Sequence, residues 1–321
     1  MPKFLGECDT ITALAGGVGA AKLLDGLSSI VQPDKLTIIV NTGDDCEFYG
    51  LHISPDLDII AYTLAGLVDE EKGWGIKDDT FNCLEMLRVY GHDTWFKLGD
   101  RDLATHIHRT VMLRSGYKLS EVTRDICAKL GLRQKIIPMS DDYFATKIRT
   151  DKDTIHFQEY LVKRCSSDVV REIIYEGAEN AKPAPGVIES IIDAEIVIVC
   201  PSNPLVSIGT ILAVNGVRQA LKETKAKKVA VSPIIGGTVV KGPADKMMRS
   251  LGIEVSASSV AKLYSDFLDI FVMDEADAPL VKEVERLGIK AVVTDTLMKA
   301  KEDKIRLARF ILGVASTFRK A

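Results

Sequence analysis

The residues best suited to chemistry in this sequence are aspartates in two short segments. Asp44 and Asp45 end the segment NTGDD, and Asp56 and Asp58 follow shortly afterwards in SPDLD. Gathered at one edge of a sheet, these carboxylates would repel one another, and a hard cation such as Mg²⁺ would relieve the repulsion and bridge to phosphates. Asp44 and Asp56 could instead cap turns and helices, whereas Asp58 lies inside an apolar stretch and needs a partner. The pattern predicts a metal site at Asp44, Asp45 and Asp58, with capping as the alternative.

A glycine-rich turn precedes these segments and could bind an anion. Gly16, Gly17 and Gly19 would leave the backbone N–H groups of a helix N-terminus open to a phosphate. Lys22 stands where a third glycine would complete a dinucleotide-binding fingerprint, and the G-K-[ST] ending of a Walker A loop is missing. The three glycines are predicted to bind substrate, although a tight turn without a ligand also explains them.

Basic side chains follow in the segment KLGDRD. Lys97 and Arg101 could contact phosphate, and the guanidinium of Arg101 could do so through two hydrogen bonds. His106 and His108 point to different faces of a helix, so they cannot share a metal in the manner of an H-E-x-x-H motif. We therefore predict that Lys97 and Arg101 bind substrate and that His108 is a solvated surface residue.

Small polar residues close a predicted strand in the second half of the chain. Ser202 and Asn203 follow that strand directly, while Ser207 and Gly209 open the next helix, where backbone N–H groups could hold phosphate. These four residues complete the predicted substrate-binding set. No G-x-S-x-G motif occurs in the sequence, which disfavours an α/β-hydrolase.

The elements that position these residues alternate between strands and helices. Ile11–Ala15 predicts a strand, Ala20–Ile30 a helix and Lys35–Val40 a second strand, which together make a βαβ unit. Further apolar runs also end at polar or small residues, at Glu195–Cys200, Lys228–Val231, Ile270–Met273 and Lys290–Val293. The pattern predicts an α/β protein with a Rossmann-like, doubly wound, mainly parallel sheet, whose ligand site lies at the carboxyl ends of the strands.

The middle of the chain has a different character and is predicted to be an insertion. Phe81–Tyr90 and Asp102–Leu113 indicate helices, and Lys147–Arg149 with Thr154–Val162 indicates a short pair of strands. We therefore divide the chain into two parts. These are a Rossmann-like nucleotide-binding core, residues 1–68 with 181–321, and a largely helical insertion, residues 69–180.

Composition narrows the class of protein. The 321 residues carry a formal net charge of -4 at pH 7, which argues against a general nucleic-acid binder, and the six cysteines include no C-x-x-C pair. Apolar runs are far shorter than the roughly 18–20 residues that cross a bilayer, and Met1–Thr10 lacks the apolar segment of a signal peptide. We expect a cytoplasmic protein with neither a nucleic-acid nor a membrane partner.

Together the motifs resemble one family, the 2-phospho-L-lactate transferases of coenzyme F-420 biosynthesis and their phosphoenolpyruvate-derived relatives. The resemblance rests on the order of the motifs along nearly the whole chain. The matching segments are AGGVGAAK (Ala15–Lys22), NTGDD (Asn41–Asp45), GLHISPDLD (Gly50–Asp58), WFKLGDRDLATH (Trp95–His106), PMSDD (Pro138–Asp142), HFQEYLV (His156–Val162), PSNPLVSIGTILAV (Pro201–Val214) and VSPIIGGTVVKGPAD (Val231–Asp245). The glycine turn reads GGVGAAK where archaeal members tend to read GGTGTPK, which leaves the acid of the donor, lactyl or enolpyruvyl, open.

The resemblance implies a Mg²⁺-dependent homodimer that transfers a 2-phospholactyl or phosphoenolpyruvyl group. The donor it implies is linked to guanosine diphosphate, the acceptor is the deazaflavin Fo, and the products are F-420-0 or its dehydro form and GMP. It further implies that Asp58 and Lys97 contact Fo, with the insertion contributing to the acceptor site, and that the strand-end aspartates hold the metal. A carboxylate near Asp58 would orient or deprotonate the attacking hydroxyl, so Asp58 is the predicted catalytic residue.

Two other functions compete with this one. A non-catalytic regulator that binds nucleotide sugars, of the related gluconeogenesis-factor type, would share the glycine turn and the sheet. An NAD(P) oxidoreductase is disfavoured, because the third glycine is missing and no acidic residue follows the second strand in the ribose-binding position.

Overall fold

Short strands build the sheets of the protein, for which a computed structural model describes residues 10–318. Most of Met1–Thr10, which the sequence analysis predicts not to be a signal peptide, lies outside the described residues. In chain order the strands are β1 (Ile11–Ala15), β2 (Leu36–Val40), β3 (Cys46–Phe48), β4 (Leu51–Ile53), β5 (Lys135–Pro138), β6 (Ala145–Arg149), β7 (Thr154–His156), β8 (Glu172–Glu176), β9 (Ile196–Val199), β10 (Lys227–Val231), β11 (Ile234–Ile235), β12 (Thr238–Val239), β13 (Ile270–Met273) and β14 (Lys290–Val293).

Helices connect most of these strands. In chain order the α-helices are α1 (Gly17–Ser28), α2 (Pro55–Leu64), α3 (Asn82–Val89), α4 (Asp100–Arg114), α5 (Leu119–Lys129), α6 (Val187–Ile192), α7 (Ile208–Ala213), α8 (Val217–Glu223), α9 (Ala244–Ser250), α10 (Ala257–Leu263), α11 (Val281–Glu285) and α12 (Lys301–Thr317). Short 3-10 helices cover Pro33–Lys35 and Glu275–Leu280, and a π-helical turn covers Glu159–Lys163.

Seven parallel strands form the central sheet, in the order β14-β13-β10-β9-β1-β2-β5. From β1 the chain proceeds to β2 and β5 on one side, whereas β9, β10, β13 and β14 extend the sheet on the other side. The direction of winding therefore reverses between β1 and β9. A crevice forms outside the carboxyl ends of the strands at such a reversal. The α/β, Rossmann-like, doubly wound fold predicted from the sequence is confirmed.

Apolar layers cover both faces of this sheet, which explains the continuous apolar runs of its strands. In β1, Ile11, Ala13 and Ala15 face a core that includes α1, α2 and α12. Leu14 faces the opposite core, which includes α7, α8 and α10. Each β1 side chain is almost fully buried, so β1 has no polar face.

Part of the segment 69–180, predicted to be an insertion, belongs to the central sheet. Its first part contains α3 and α4, close to the predicted bounds, but β5 pairs with β2 as an edge strand of the central sheet. Pro138 ends that strand, which suits an edge position because proline lacks the N–H group that a ladder requires. The sheet therefore includes residues that the sequence-based division assigned to the insertion.

The predicted strand Thr154–Val162 is shorter than expected. Only Thr154–His156 pairs with β6, whose second neighbour is β8, and the chain then turns helically. Phe157 and Tyr160 are both buried while Val162 is exposed. This spacing of three residues matches one helical turn rather than the alternation of a strand. Within residues 10–318, no helix is long and apolar enough to span a bilayer.

The contact between α1 and α12 leaves no room for a side chain at Gly26. A Cβ atom at Gly26 would lie 2.2 Å from the carbonyl oxygen of Lys304. Alanine is favoured over glycine by about 1 kcal/mol in an open helix, but here Gly26→Ala should lower the free energy of unfolding by about 1–3 kcal/mol through overpacking. Chemical denaturation measures this, with Ser28→Ala on the same helix as the control. A more stable Gly26→Ala variant would contradict the packing described.

Candidate active site

A cavity of about 990 Å³ opens where the winding of the sheet reverses. The segments that follow β1 and β9 form its floor, and α2 and the loop before α4 form one wall. Nine of the predicted site residues line it: Gly16, Gly17, Gly19, Asp44, Asp58, Lys97, Ser202, Asn203 and Ser207. Asp45, Arg101 and Gly209 are not among the lining residues. Most of the predicted site residues therefore lie together around one cavity at the carboxyl edge of the sheet.

The glycine turn is shaped by close contacts rather than left open. Gly17 has φ +72°, which favours glycine. A Cβ atom at Gly16 would lie 2.7 Å from Oδ2 of Asp56, and one at Gly19 would lie 2.4 Å from the carbonyl oxygen of Pro201. The backbone N–H of Gly17 donates to Oδ1 of Asp56 at 2.9 Å. The turn is thus held by a carboxylate from α2 at the place where an anion was expected.

Asp56 lines the cavity but is absent from the predicted set of site residues, although the sequence analysis placed it in the same acidic cluster as Asp44. Its Oδ2 accepts a hydrogen bond from Nδ2 of Asn41 at 2.9 Å, and its side chain lines the cavity. Burial raises the pKa of Asp56 to about 6, although the hydrogen bonds from Asn41 and Gly17 oppose the shift. Burial also raises the pKa of Asp44 well above its usual range, and the charge of Asp56 adds to the effect. Two nearby buried carboxylates therefore face the cavity.

Asp44 and Asp45 differ in their surroundings. Oδ1 of Asp44 and Oδ1 of Asp45 are both buried without a hydrogen-bond partner among the described residues, but only Asp44 lines the cavity. Oδ2 of Asp45 contacts Nε2 of His52 at 2.9 Å and accepts from Oγ of Ser54 at 2.7 Å, which directs this carboxylate away from the cavity. Within residues 10–318, no cluster of three or more His, Cys, Asp or Glu side chains is arranged to hold a metal ion. A metal here would rely on Asp44 and Asp56 and on oxygen atoms of the substrate.

Asp58 already has a protein partner. Its two carboxylate oxygens accept hydrogen bonds from Nη1 and Nη2 of Arg109, and both side chains are buried. Nη1 of Arg109 also contacts Nδ1 of His106, whose Nε2 lies 3.3 Å from Oδ1 of Asp102. Tyr62 donates from its hydroxyl to the same oxygen of Asp102 at 2.8 Å. Asp58 thus belongs to a buried ionic network between α2 and α4.

The network also sets the ionisation of Asp102. Burial by itself would raise the pKa of Asp102, but interactions with His106, Tyr62 and Arg109 outweigh burial and lower it. A carboxylate that accepts several hydrogen bonds and lies near a cation favours its charged form. The wall behind the cavity therefore carries paired charges, in contrast to Asp44 and Asp56.

Lys97, Arg101 and Gly209 occupy different surroundings. Lys97 is exposed and lines the cavity. Arg101 is exposed, and its Nη1 donates to the carbonyl oxygen of Lys77 at 3.1 Å, outside the cavity. Gly209 lies against Tyr175, whose hydroxyl would be 2.5 Å from an added Cβ atom. Close packing accounts for this glycine without a ligand.

Aromatic side chains also line the cavity, a feature that the sequence analysis did not identify. Trp74, Trp95, Phe96 and Phe157 are among its lining residues, and Trp95 and Phe96 belong to the loop before α4. The ring of Phe48 stacks on that of Phe96 with centroids 4.6 Å apart and meets Trp95 edge-on at 4.9 Å. The cavity therefore has a charged end at the glycine turn and an aromatic end at the loop before α4.

The fold and the cavity define a Rossmann-like α/β protein with a ligand site at the switch point of its sheet. The family model described as "2-phospho-L-lactate transferase CofD" matches residues 11–311, and the chain belongs to this family. Membership makes the protein a transferase of a phospholactyl or phosphoenolpyruvyl group.

Relatives of this family cover the chain almost completely. It is 45% identical over 315 residues to a phosphoenolpyruvate transferase of Streptomyces griseus subsp. griseus, an alignment that covers 96% of this chain and 99% of the relative. It is 42% identical over 306 residues to a 2-phospho-L-lactate transferase of Methanocaldococcus jannaschii, with 94% and 97% covered. A crystal structure of a UPF0052 family member from Bacillus halodurans superposes with a TM-score of 0.66 at 14% identity, covering 95% of this chain and 99% of that one. This last similarity extends to the fold alone.

The buried Asp58–Arg109 pair should affect the free energy of unfolding. Arg109→Met leaves a buried carboxylate without its cation, and breaking a buried pair in this way costs about 3–5 kcal/mol. The double variant Asp58→Leu with Arg109→Met removes both charges and should recover much of that loss. Denaturant unfolding measures both variants, with the exposed Arg114→Met on the same helix as the control. Equal stability of the two variants would show that the pair is not coupled.

For Asp44 we expect the opposite effect, that removing its charge stabilises the fold. Because its pKa is raised in the folded protein, its charged form opposes folding at neutral pH, and Asp44→Asn should stabilise the fold by on the order of 1 kcal/mol or more at pH 7. The gain should shrink as the pH falls through the folded pKa, and vanish below the unfolded pKa of about 4, where Asp44 is neutral in both states. Melting temperatures across pH test this, with the exposed Asp34→Asn as the control. A destabilised Asp44→Asn at pH 7 would reveal a partner that stabilises the carboxylate.

Proposed function

We propose that the protein transfers a 2-phospholactyl or phosphoenolpyruvyl group from a guanosine diphosphate-linked donor to the deazaflavin Fo, forming F-420-0 or its dehydro form and releasing GMP. The observation that carries the proposal is the family match across residues 11–311 of a chain whose cavity has one charged and one aromatic end. The relatives named above include both a phosphoenolpyruvate and a 2-phospho-L-lactate transferase, so both donors remain in the proposal.

The donor's diphosphate is proposed to lie at the glycine turn. Gly16, Gly17 and Gly19 bring backbone close to the cavity, and Ser202 and Ser207 present hydroxyl groups from the segment after β9. Oγ of Ser202 accepts from the N–H of Gly16 at 3.2 Å, which leaves its own hydroxyl hydrogen available to a ligand. Hydroxyl hydrogens that the protein leaves free in this way suit phosphoryl oxygens.

The acceptor is proposed to lie at the aromatic end. A flat tricyclic ring buries its faces well against aromatic side chains, in offset or edge-on contact. Trp95 and Phe96 lie beside Lys97, whose exposed ammonium can reach polar atoms on the rim of such a ring. Asp58 lies on α2 between the two ends, where it would contact the hydroxyl-bearing side chain of the acceptor.

A magnesium ion fits the charged end, although with a different ligand set from the one predicted. Asp44 offers a buried oxygen without a partner among the described residues, and Asp56 lies close enough for the two charges to interact. Both oxygens of Asp58 are held by Arg109. Mg²⁺ usually takes one or two carboxylates together with phosphate oxygens and water. When bound, it would neutralise charge on the diphosphate and on the departing GMP.

In the proposed reaction, the terminal ribitol hydroxyl of Fo attacks the phosphorus that bears the lactyl or enolpyruvyl group. A new P–O bond forms, the P–O bond to GMP breaks, and the hydroxyl proton leaves with a nearby base or with the GMP phosphate. The guanidinium of Arg109 keeps the Asp58 carboxylate fixed, so that Asp58 can accept a hydrogen bond from the hydroxyl and orient it. The cytoplasmic location and the homodimer remain expectations.

The test is reaction of the purified protein with Fo, Mg²⁺ and each guanylylated donor in turn. GMP release and the deazaflavin product are followed by chromatography with mass detection, and F-420-0 or dehydro-F-420-0 identifies the donor. Asp58→Asn should lower turnover by about 10²-fold or more, measured at a temperature where a melting curve shows the variant to be folded, because the substitution also removes the charge that pairs with Arg109. Chelation of divalent ions should abolish turnover, and added Mg²⁺ should restore it.

The outcomes separate the alternatives. Nucleotide binding without transfer to Fo, under conditions that support a relative of known activity, would favour the non-catalytic regulator. Near-normal turnover of Asp58→Asn would remove Asp58 from the reaction. Arg101→Met is a matched control, because Arg101 lies outside the cavity and its removal should leave turnover nearly unchanged.

A further inference from the structure

Two lysines outside the predicted site set line the cavity. Lys22 lies on α1, one helical turn beyond Val18, and Lys241 follows the β11–β12 hairpin. Nζ of Lys241 lies over Gly73, where an added Cβ atom would be 2.6 Å from Nζ and 3.6 Å from Cγ1 of Val18. Three distant parts of the chain thus bring these two ammonium groups to one side of the cavity.

Neither lysine is paired with a carboxylate among residues 10–318. Nζ of Lys22 donates to the carbonyl oxygen of Met298 at 3.2 Å, and Nζ of Lys241 donates to the carbonyl oxygen of Lys72 at 2.9 Å. Glu70 and Glu71 also line the cavity, but Glu70 is paired with Lys304 at 3.1 Å and Glu71 is exposed. Both ammonium groups keep further N–H donors that these hydrogen bonds do not use.

The two ammonium groups are close enough for their charges to interact, although the side chain of Lys241 is exposed to solvent. Burial lowers the pKa of Lys241, and the charge of Lys22 lowers it further. An anion that binds near both groups compensates two like charges, because each cation then gains an opposite charge. The placement of the two lysines at the cavity therefore suits an anionic ligand.

Carboxylates contact or neighbour the glycine turn itself. Asp56 accepts from the N–H of Gly17, and Asp44 also lines the cavity, so a bare carboxylate or phosphate would gain nothing from these two residues without a metal. A donor with several negative groups would place the group that does not bind the metal near the lysines.

We propose that Lys22 and Lys241 form an anion subsite for the acidic end of the donor, either the carboxylate of the transferred group or the phosphoryl group that bears it. This inference rests on the proposed function and extends it. The carboxylate and the phosphoryl group are both compact anions that two ammonium groups can bind. Lysine commonly binds phosphate in this way, as a point charge.

Binding without the acceptor tests the subsite. Isothermal titration calorimetry with Mg²⁺ measures the binding of GMP, GDP and guanylylated 2-phospholactate to the wild-type protein and to the variants Lys22→Met and Lys241→Met. Each substitution removes one charge-assisted hydrogen bond to the anion, which should weaken binding of the affected ligand on the order of tenfold. Lys225→Met removes an exposed lysine outside the cavity and should change no affinity.

The three ligands show whether the subsite holds the phosphoryl group or the carboxylate of the donor. If the subsite holds the phosphoryl group, GDP and the donor weaken together relative to GMP, whereas if it holds the carboxylate, only the donor weakens. Unchanged affinity for all three ligands in both variants, each folded by its melting temperature, would overturn the proposal.

Binding of inorganic pyrophosphate tests the lysine subsite independently of the proposed guanosine donor. If the wild-type protein binds pyrophosphate more tightly than both variants but binds no guanine nucleotide, the guanosine donor is wrong and the subsite stands. If the wild-type protein binds neither, both ideas fail.

Discussion

The site depends on the contact between the two segments that leave β1 and β9 in opposite directions. Any side chain at Gly19 would collide with the carbonyl oxygen of Pro201, and one at Gly16 would meet Ser207. Only glycine allows the turn after β1 and the segment after β9 to touch across the switch point of the sheet. That contact sets the floor of the cavity, and it brings Gly17 within hydrogen-bonding distance of Asp56.

The buried carboxylates around this contact are of two kinds, paired and unpaired. Asp58 is compensated by Arg109 inside the protein, with His106 beside the pair, so its charge costs little once folding brings the two helices together. Asp44 and Asp56 form no ion pair within residues 10–318, and burial raises the pKa of each. Uncompensated charge of one sign in a cavity is characteristic of a binding site, where the ligand supplies what the protein lacks.

The sequence predicted what local patterns encode. Apolar runs that end at small residues identified the central strands and the edge where the cavity lies, since each pattern is contained in a few residues. β5 was not recognised as part of the sheet, because a four-residue strand inside a helical region has no distinctive period. The partnership of Asp58 with Arg109 spans 51 positions, and no local pattern indicates it. Arg101 fitted a phosphate-binding motif, yet the structure directs it to the carbonyl of Lys77.

Helix α2 links the two ends of the cavity. Pro55 begins it, a position where the missing N–H of proline costs nothing, and Asp56 and Asp58 follow in its first turn. Residues two apart on a helix project about 200° apart around its axis, so Asp56 reaches the glycine turn while Asp58 reaches α4. One short helix therefore fixes the charged end of the cavity relative to the wall near its aromatic end. Transfer between two large substrates requires such a fixed relation, because the attacking oxygen and the phosphorus must meet in line. The buried pair of Asp58 with Arg109 ties this helix to α4 and thereby holds that relation.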